Sequence, residues 1–274
     1  MKTELFIIKC KSNLHVGLGD SNYGVIDKLV QRDVVNELPC IYSSSLKGGF
    51  REYFEEKLNQ KKLADDIFGK GSNKKSTGMD KGAFIFQQAN LLSIPLRSNT
   101  RPYFNAVSPF IIAEWLVLAS LSDYSFPDAL KNELDEIAKL SPKNDNPIIM
   151  EDINDLIIED FEDFDVKPDL KFPELRKMIG NDLVILSTDD MKRITDDYHL
   201  PVIARNKLEN GQSKNLWYEQ IVPRESNFAT FVMFNSPTGN AIKDNVFSTN
   251  VDEKIVQFGG DSSIGYGYCE VKSI

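Results

Sequence analysis

Histidine and cysteine are scarce in this sequence. Its 274 residues hold two histidines, His15 and His199, and three cysteines, Cys10, Cys40 and Cys269, all far apart. No Cys/His spacing matches a zinc site, which argues against structural zinc and against a Cys–His nucleophile pair. A dispersed, odd-numbered cysteine set implies no disulfide framework. Long apolar runs are also lacking. The longest, around Phe110 to Leu121, contains Glu114 and reaches about one-half to two-thirds of a bilayer span, so no transmembrane helix is expected. The apolar stretch near the N-terminus, Leu5 to Ile8, is too short for a secretory signal. A cytoplasmic protein with no membrane association is expected.

Positive charge is in short supply overall, with a net charge of −9, but its distribution is uneven. Residues 1–101 carry a net +5, residues 102–200 a net −13 and residues 201–274 a net −1. Salt screens charges beyond about 8 Å, so an acidic middle segment does not prevent a basic N-terminal face from holding a polyanion.

Along the chain, Leu5–Lys11 reads as a strand. A glycine-containing connection, 13–33, follows, with His15, Asp20, Asp27, Gln31, Arg32 and Asp33. The spacing of Leu46, Phe50, Tyr53, Phe54 and Leu58 predicts a helix with Ser45 as its N-cap. Residues 69–82 read as a loop. Ala83–Leu96 reads as one or two strands, Pro109–Ser122 as a buried helix, and the acidic region as short helices over Pro127–Leu140 and Pro173–Ile179. Short strands are expected at Asp182–Leu186, Phe228–Phe234 and Tyr268–Val271. Asn210-Gly211, between the apolar runs Val202–Ala204 and Leu216–Ile221, marks a hairpin. Without a regular βαβ rhythm, the fold class is α+β.

Four constellations could carry chemistry. The glycine-rich tail Gly259–Gly267 is either a turn between strands or a backbone nest for phosphate; it lacks the context of a dinucleotide or triphosphate loop. Ser43-Ser44-Ser45-Leu46-Lys47-Gly48-Gly49-Phe50-Arg51 is either an ordinary capped helix or an anion site. Lys47 favours the second, because a cation at a helix N-terminus opposes the helix dipole. The loop with His15 and Asp27 suits acid–base or metal-assisted phosphodiester chemistry, although a lone loop aspartate is commonly a turn residue. Trp217-Tyr218-Glu219, taken by itself, reads first as core packing at a strand end. His199 has no evident partner. No helix-turn-helix pattern and no cofactor fingerprint stand out.

Taken in order, these motifs resemble one family. His15-Val16-Gly17, Gly24-Val25-Ile26-Asp27, Gln31-Arg32-Asp33, Ser44-Ser45-Leu46-Lys47-Gly48, Ile67-Phe68-Gly69, Pro95-Leu96-Arg97-Ser98, Leu216-Trp217-Tyr218-Glu219 and Gly259-Gly260-Asp261 through Gly267 are similar to the type III-B CRISPR (Cmr complex) backbone subunit of the RAMP superfamily, the one that cuts target RNA. Ile221 departs from the pattern, where an aromatic hydroxyl is expected. The resemblance implies a single RAMP-type domain over 1–274, with a modified ferredoxin-like (RRM-like) palm and a β-hairpin thumb. The palm's N-terminal part would be 1–122, an acidic insertion 123–200, the thumb 201–222 and the palm's C-terminal part 223–274. It implies RNA endonuclease activity by 2′-OH attack, with Asp27 as the key catalytic residue and His15 and Glu219 as secondary ones. Gln31, Arg32, Ser44, Ser45, Lys47, Arg51, Gly259 and Gly260 would bind RNA. The implied cofactor is a divalent metal, Mg²⁺ or Mn²⁺, with no ligand set assigned. The implied partners are guide RNA, target RNA, other copies of the chain in a filament and other Cmr-type subunits. A non-catalytic RAMP scaffold that only binds guide RNA is the alternative, and Asp27 discriminates between the two.

Overall fold

The computed structural model describes residues 1–20, 24–70, 81–235 and 242–274. Most of the 69–82 loop expected from sequence lies outside the described residues.

The strand Lys2–Cys10 is central. Its apolar residues Leu5, Phe6, Ile7 and Ile8 are all buried, so it needs cover on both faces and both edges. On its edges it pairs antiparallel with Asn227–Phe234 and with Tyr268–Ser273. Asn227–Phe234 pairs in turn with Ala89–Arg97. The resulting order, Tyr268–Ser273, Lys2–Cys10, Asn227–Phe234, Ala89–Arg97, is that of the fourth, first, third and second strands of an antiparallel βαββαβ unit. Its helices are Ser43–Glu52 and Val246–Val251. They meet edge to face through Phe50 and Phe247, 4.9 Å apart, and Phe6 and Phe258 close the same aromatic cluster. Such pairings contribute about 1 kcal/mol each beyond area burial.

The first helix differs from its expectation at both ends. It starts at Ser43, three residues early, because Leu46 N–H already donates to Tyr42 O. Ser45 is therefore inside the helix and does not cap it; its hydroxyl accepts a hydrogen bond from Gln31 Nε2 at 2.9 Å. At the other end the α-helix passes into a π-helical turn, Tyr53–Lys57, where Leu58 N–H donates to Tyr53 O. The wider turn keeps Phe54 fully buried beside Phe68 and Phe247 while Tyr53 and Leu58 pack at the core's margin.

The acidic region is built into the main sheet. Leu183–Ile185 runs parallel to Tyr103–Val107 and antiparallel to Ile148–Ile149, and its apolar residues join one continuous core. Buried Glu133, on the helix Asp128–Ala138, accepts hydrogen bonds from Glu174 and Leu175 N–H, the open donors at the start of Pro173–Ile179. The helix Pro109–Leu121 is buried on one face only, with Val117 and Leu121 exposed. The helix Thr188–Thr195 was not expected, although Ser187 caps it by accepting from Asp190 N–H. The cysteines are free and buried; Cys10 and Cys269 face each other across paired strands with sulfurs 3.8 Å apart. Among the described residues no helix is long and apolar enough to cross a membrane.

Candidate nucleic-acid interface

Val202–Glu209 and Gln212–Gln220 form a long antiparallel hairpin. Asn210 and Gly211 at its tip both have positive φ, 52° and 81°, which matches the twist of a tight hairpin turn. The hairpin belongs to a separate four-stranded sheet with Lys28–Val30 and Gly17–Asp20. Residues 209–216 are exposed, whereas Glu219 and Gln220 at the root are fully buried. An arm that is wet along its outer half and packed only at its base projects from the body.

Three of the sequence-predicted residues converge on this root. Asp27 is exposed, immediately before Lys28–Val30, and is tied to the hairpin twice: its N–H donates to Tyr218 O at 3.0 Å, and its Oδ2 accepts from Tyr218 N–H at 2.7 Å. Glu219 follows Tyr218 and has no exposed side-chain surface. His15 is buried on the adjacent loop. Its Nδ1 lies 2.7 Å from Gln220 O, so Nδ1 carries the hydrogen, and its Nε2 lies 3.4 Å from Glu219 Oε1. Gly17 is required beside it, because a Cβ there would come within 2.8 Å of His15 Nε2.

Residues that the sequence reading did not assign complete the cluster. Arg205 Nη1 donates to Glu219 Oε2 at 2.5 Å and to Asp261 Oδ1 at 2.8 Å. Lys28 Nζ stands 4.0 Å from Glu219 Oε1. Arg205 and Lys28 both lie over the ring of Trp217, 5.3 and 5.6 Å from its centroid. The only sequence signal for Arg205 was its place in the hairpin run; for Asp261, its place after Gly259-Gly260.

The glycine loop packs on this cluster. Gly259 has φ +79°, and a Cβ there would fall 2.2 Å from His15 O. Gly260 N–H donates to His15 O at 3.0 Å, and open space surrounds its own Cβ position. Gly259 thus serves the approach of two backbones, and Gly260 is the glycine that faces outward.

The remaining expected RNA contacts lie elsewhere. Gln31 is buried and spends its side chain on Gly17 O, Ser45 Oγ and Tyr42 N–H. Arg32 is held by Asp197, Glu37 O and Thr195 O beside an acidic groove. Arg51 binds Glu55, Asp65 and Gly69 O, fastening the first helix to Lys61–Phe68. Ser44 and Lys47, by contrast, line an open groove of about 630 Å³ with Ser43 and Lys81 at the start of the first helix. Two lysines and two hydroxyls at a helix N-terminus suit a phosphate chain.

A metal ion finds no cage here. Among the described residues no three His, Cys, Asp or Glu side chains are grouped to hold one. His15, Glu219 and Asp261 converge, but the Arg205 guanidinium stands between the two carboxylates, where a cation would have to sit. The buried cluster does not fit a divalent metal.

Electrostatics at the root predicts an acid limit. Partial burial raises the Asp261 carboxyl, but the hydrogen bond from Arg205 and the charges of Arg205 and Lys28 outweigh it and hold it below its ordinary 3.8. Burial likewise opposes, and Lys9 and Tyr103 overcome it, at Glu225, ordinarily 4.5. A carboxyl depressed on folding contributes stability above its unfolded value and loses it as pH falls through the folded one. Thermal melting is therefore expected to be flat from about pH 7 to 5 and to fall below about pH 4. Glu114, raised by burial, works in the opposite direction. A melting temperature that rises below pH 4 would contradict the assignment.

The comparisons with known proteins cover the same ground. A RAMP superfamily model matches residues 7–270. The CRISPR system Cmr endoribonuclease Cmr4 of Pyrococcus furiosus is 26% identical, over 99% of this chain and 95% of that protein. The chain is similar in fold to a type III-B Cmr-beta structure bound to cognate target RNA, with TM-score 0.81 and 23% identity over 100% of this chain and 97% of the other. It is also similar to oligomeric Cmr4 from Pyrococcus furiosus, with TM-score 0.73 and 18% identity over 100% and 98%. A family match that spans nearly the whole chain, the projecting hairpin included, places this protein in the RAMP superfamily.

Proposed function

We propose that this chain is the repeating backbone subunit of a type III-B CRISPR effector complex, which binds guide RNA, stacks with copies of itself and other Cmr-type subunits, and cleaves paired target RNA at regular intervals. The observation that carries the reading is the anchoring of exposed Asp27 to the root of a projecting hairpin, in a chain aligned end to end with a Cmr endoribonuclease. The hairpin would wedge between base pairs of the guide–target duplex. That opens the stack and allows in-line attack of a ribose 2′-OH on the adjacent phosphorus, a geometry A-form RNA does not offer; orientation of this kind contributes up to about 7–11 kcal/mol.

In this reading Asp27 accepts the 2′-OH proton as the oxygen–phosphorus bond forms. The bond to the 5′ oxygen breaks, and that oxygen takes a proton from water. The products are a 2′,3′-cyclic phosphate and a 5′-hydroxyl. Lys28, partly exposed next to Asp27, places positive charge near the phosphate. His15 and Glu219 are buried and act as supports of the site instead of touching RNA. No step is routed through a divalent ion, since the cluster does not fit one. The test is purification of the complex followed by incubation with complementary RNA. Co-purified RNA of defined length and target products spaced at regular intervals are expected; intact target would leave only the scaffold function.

The groove at Ser43, Ser44, Lys47 and Lys81 is the proposed guide track, where phosphate contacts position the RNA and base pairing reads it. Lys47→Glu is expected to weaken guide binding about tenfold and to flatten the dependence of log Kd on log salt, since fewer counterions are released. Filter binding across a salt series measures both; unchanged curves would remove Lys47 from the interface.

A further inference from the structure

Arg205 forms an ionic link between the hairpin and the glycine loop. On the thumb it lies opposite Trp217 in the strand register and diagonal to Glu219, so these three share one face of the hairpin. On the palm side it meets Asp261, which follows the glycine pair and sits in the left-handed region at φ 62°. That loop is pinned by Gly260 N–H on His15 O and by Gly267 N–H on Asn13 O. Asp27, in turn, follows the thumb strand through its two hydrogen bonds to Tyr218, the residue between Trp217 and Glu219.

We propose that Arg205 is a positioning residue for cleavage: by bridging Glu219 and Asp261 it sets the thumb root against the palm and thereby places Asp27. The inference rests on the endonuclease reading above. Two features support geometry over mere stability. A carboxylate buried as deeply as Glu219 is costly, and ion clusters of this type add little net stability relative to apolar packing. The bridge also lays a planar guanidinium over the Trp217 indole while one of its nitrogens, Nη1, reaches both carboxylates, and a lysine ammonium cannot supply that stacked plane.

The test uses complexes assembled from variant chains, with single-turnover cleavage at saturating target and a separate target Kd. Asp261→Asn keeps a residue that tolerates the left-handed conformation but removes the charge. Arg205→Lys keeps the charge but not the planar group stacked on Trp217. Each is expected to slow cleavage about tenfold, within the range that misplacement of a reacting group produces, with target Kd within about twofold. The double variant should be about as slow as either single one, because both break one bridge. Cleavage within about twofold of wild type, losses that multiply in the double variant, or parallel loss of assembly and target binding would each overturn the proposal. If Arg205→Lys does not assemble, Asp261→Asn decides alone. Wild-type and Asp27→Ala complexes separate the two levels. Failure of the wild type to cleave sinks the functional reading, whereas normal behaviour of both controls with full activity in Asp261→Asn sinks only the bridge.

Discussion

Asp27→Ala is expected to stop cleavage of target RNA in the assembled complex, by about a thousandfold or more, while guide and target still bind. General-base removal alone accounts for about 10²–10⁴-fold. The substitution also deletes an acceptor for Tyr218 N–H, so part of its effect could be a loosened thumb root. Asp27→Asn separates the two causes, since its amide oxygen can still accept from Tyr218 while its proton affinity is lost. Both variants should be equally inactive if the carboxylate does the chemistry. An Asn variant that cleaves near the wild-type rate would assign Asp27 to hairpin anchoring and leave the scaffold reading. Single-turnover cleavage with gel-resolved products, beside a binding titration, measures both.

The second large effect is expected at Gly259. Alanine there must occupy φ +79° and bring a Cβ to 2.2 Å from His15 O, a backbone atom that cannot swing away. Strain of this kind costs about 1–3 kcal/mol, and the clash adds to it. The melting temperature should fall by roughly 5–10 °C. The His15 loop must also shift, and with it the contact to Glu219, so cleavage should fall further than stability explains. Gly260→Ala is the internal control, because nothing lies within 4 Å of its Cβ position. It should melt normally, and any loss it shows should appear in RNA binding. Equal effects from the two substitutions would mean that the loop does not clamp His15.

Much of this is legible in the amino-acid order. The α+β class, the Asn210-Gly211 hairpin and most element positions followed from local patterns, because period, turn residues and proline act within a few residues. Other features were invisible for a physical reason. Ser45 reads as a cap in sequence, yet the helix starts earlier because Tyr42 O is already taken by Leu46 N–H. Gln31, Arg32 and Arg51 read as RNA contacts, yet their donors are committed to partners between 4 and 165 positions away. Arg205 and Asp261 are 56 positions apart and carried no joint signal, though they form the ion bridge at the thumb root.

The amino-acid order alone determined that a strand-rich chain would carry an exposed hairpin, a lysine at a helix start and an aspartate in a glycine-bearing loop. Those properties depend on neighbours in the chain. Only the folded molecule decided which charges remain available to a polyanion and which neutralise one another inside. A charge is satisfied by whatever lies within a few ångströms, and the palm and thumb bring residues 15, 28, 205, 219 and 261 to that range from across the whole sequence.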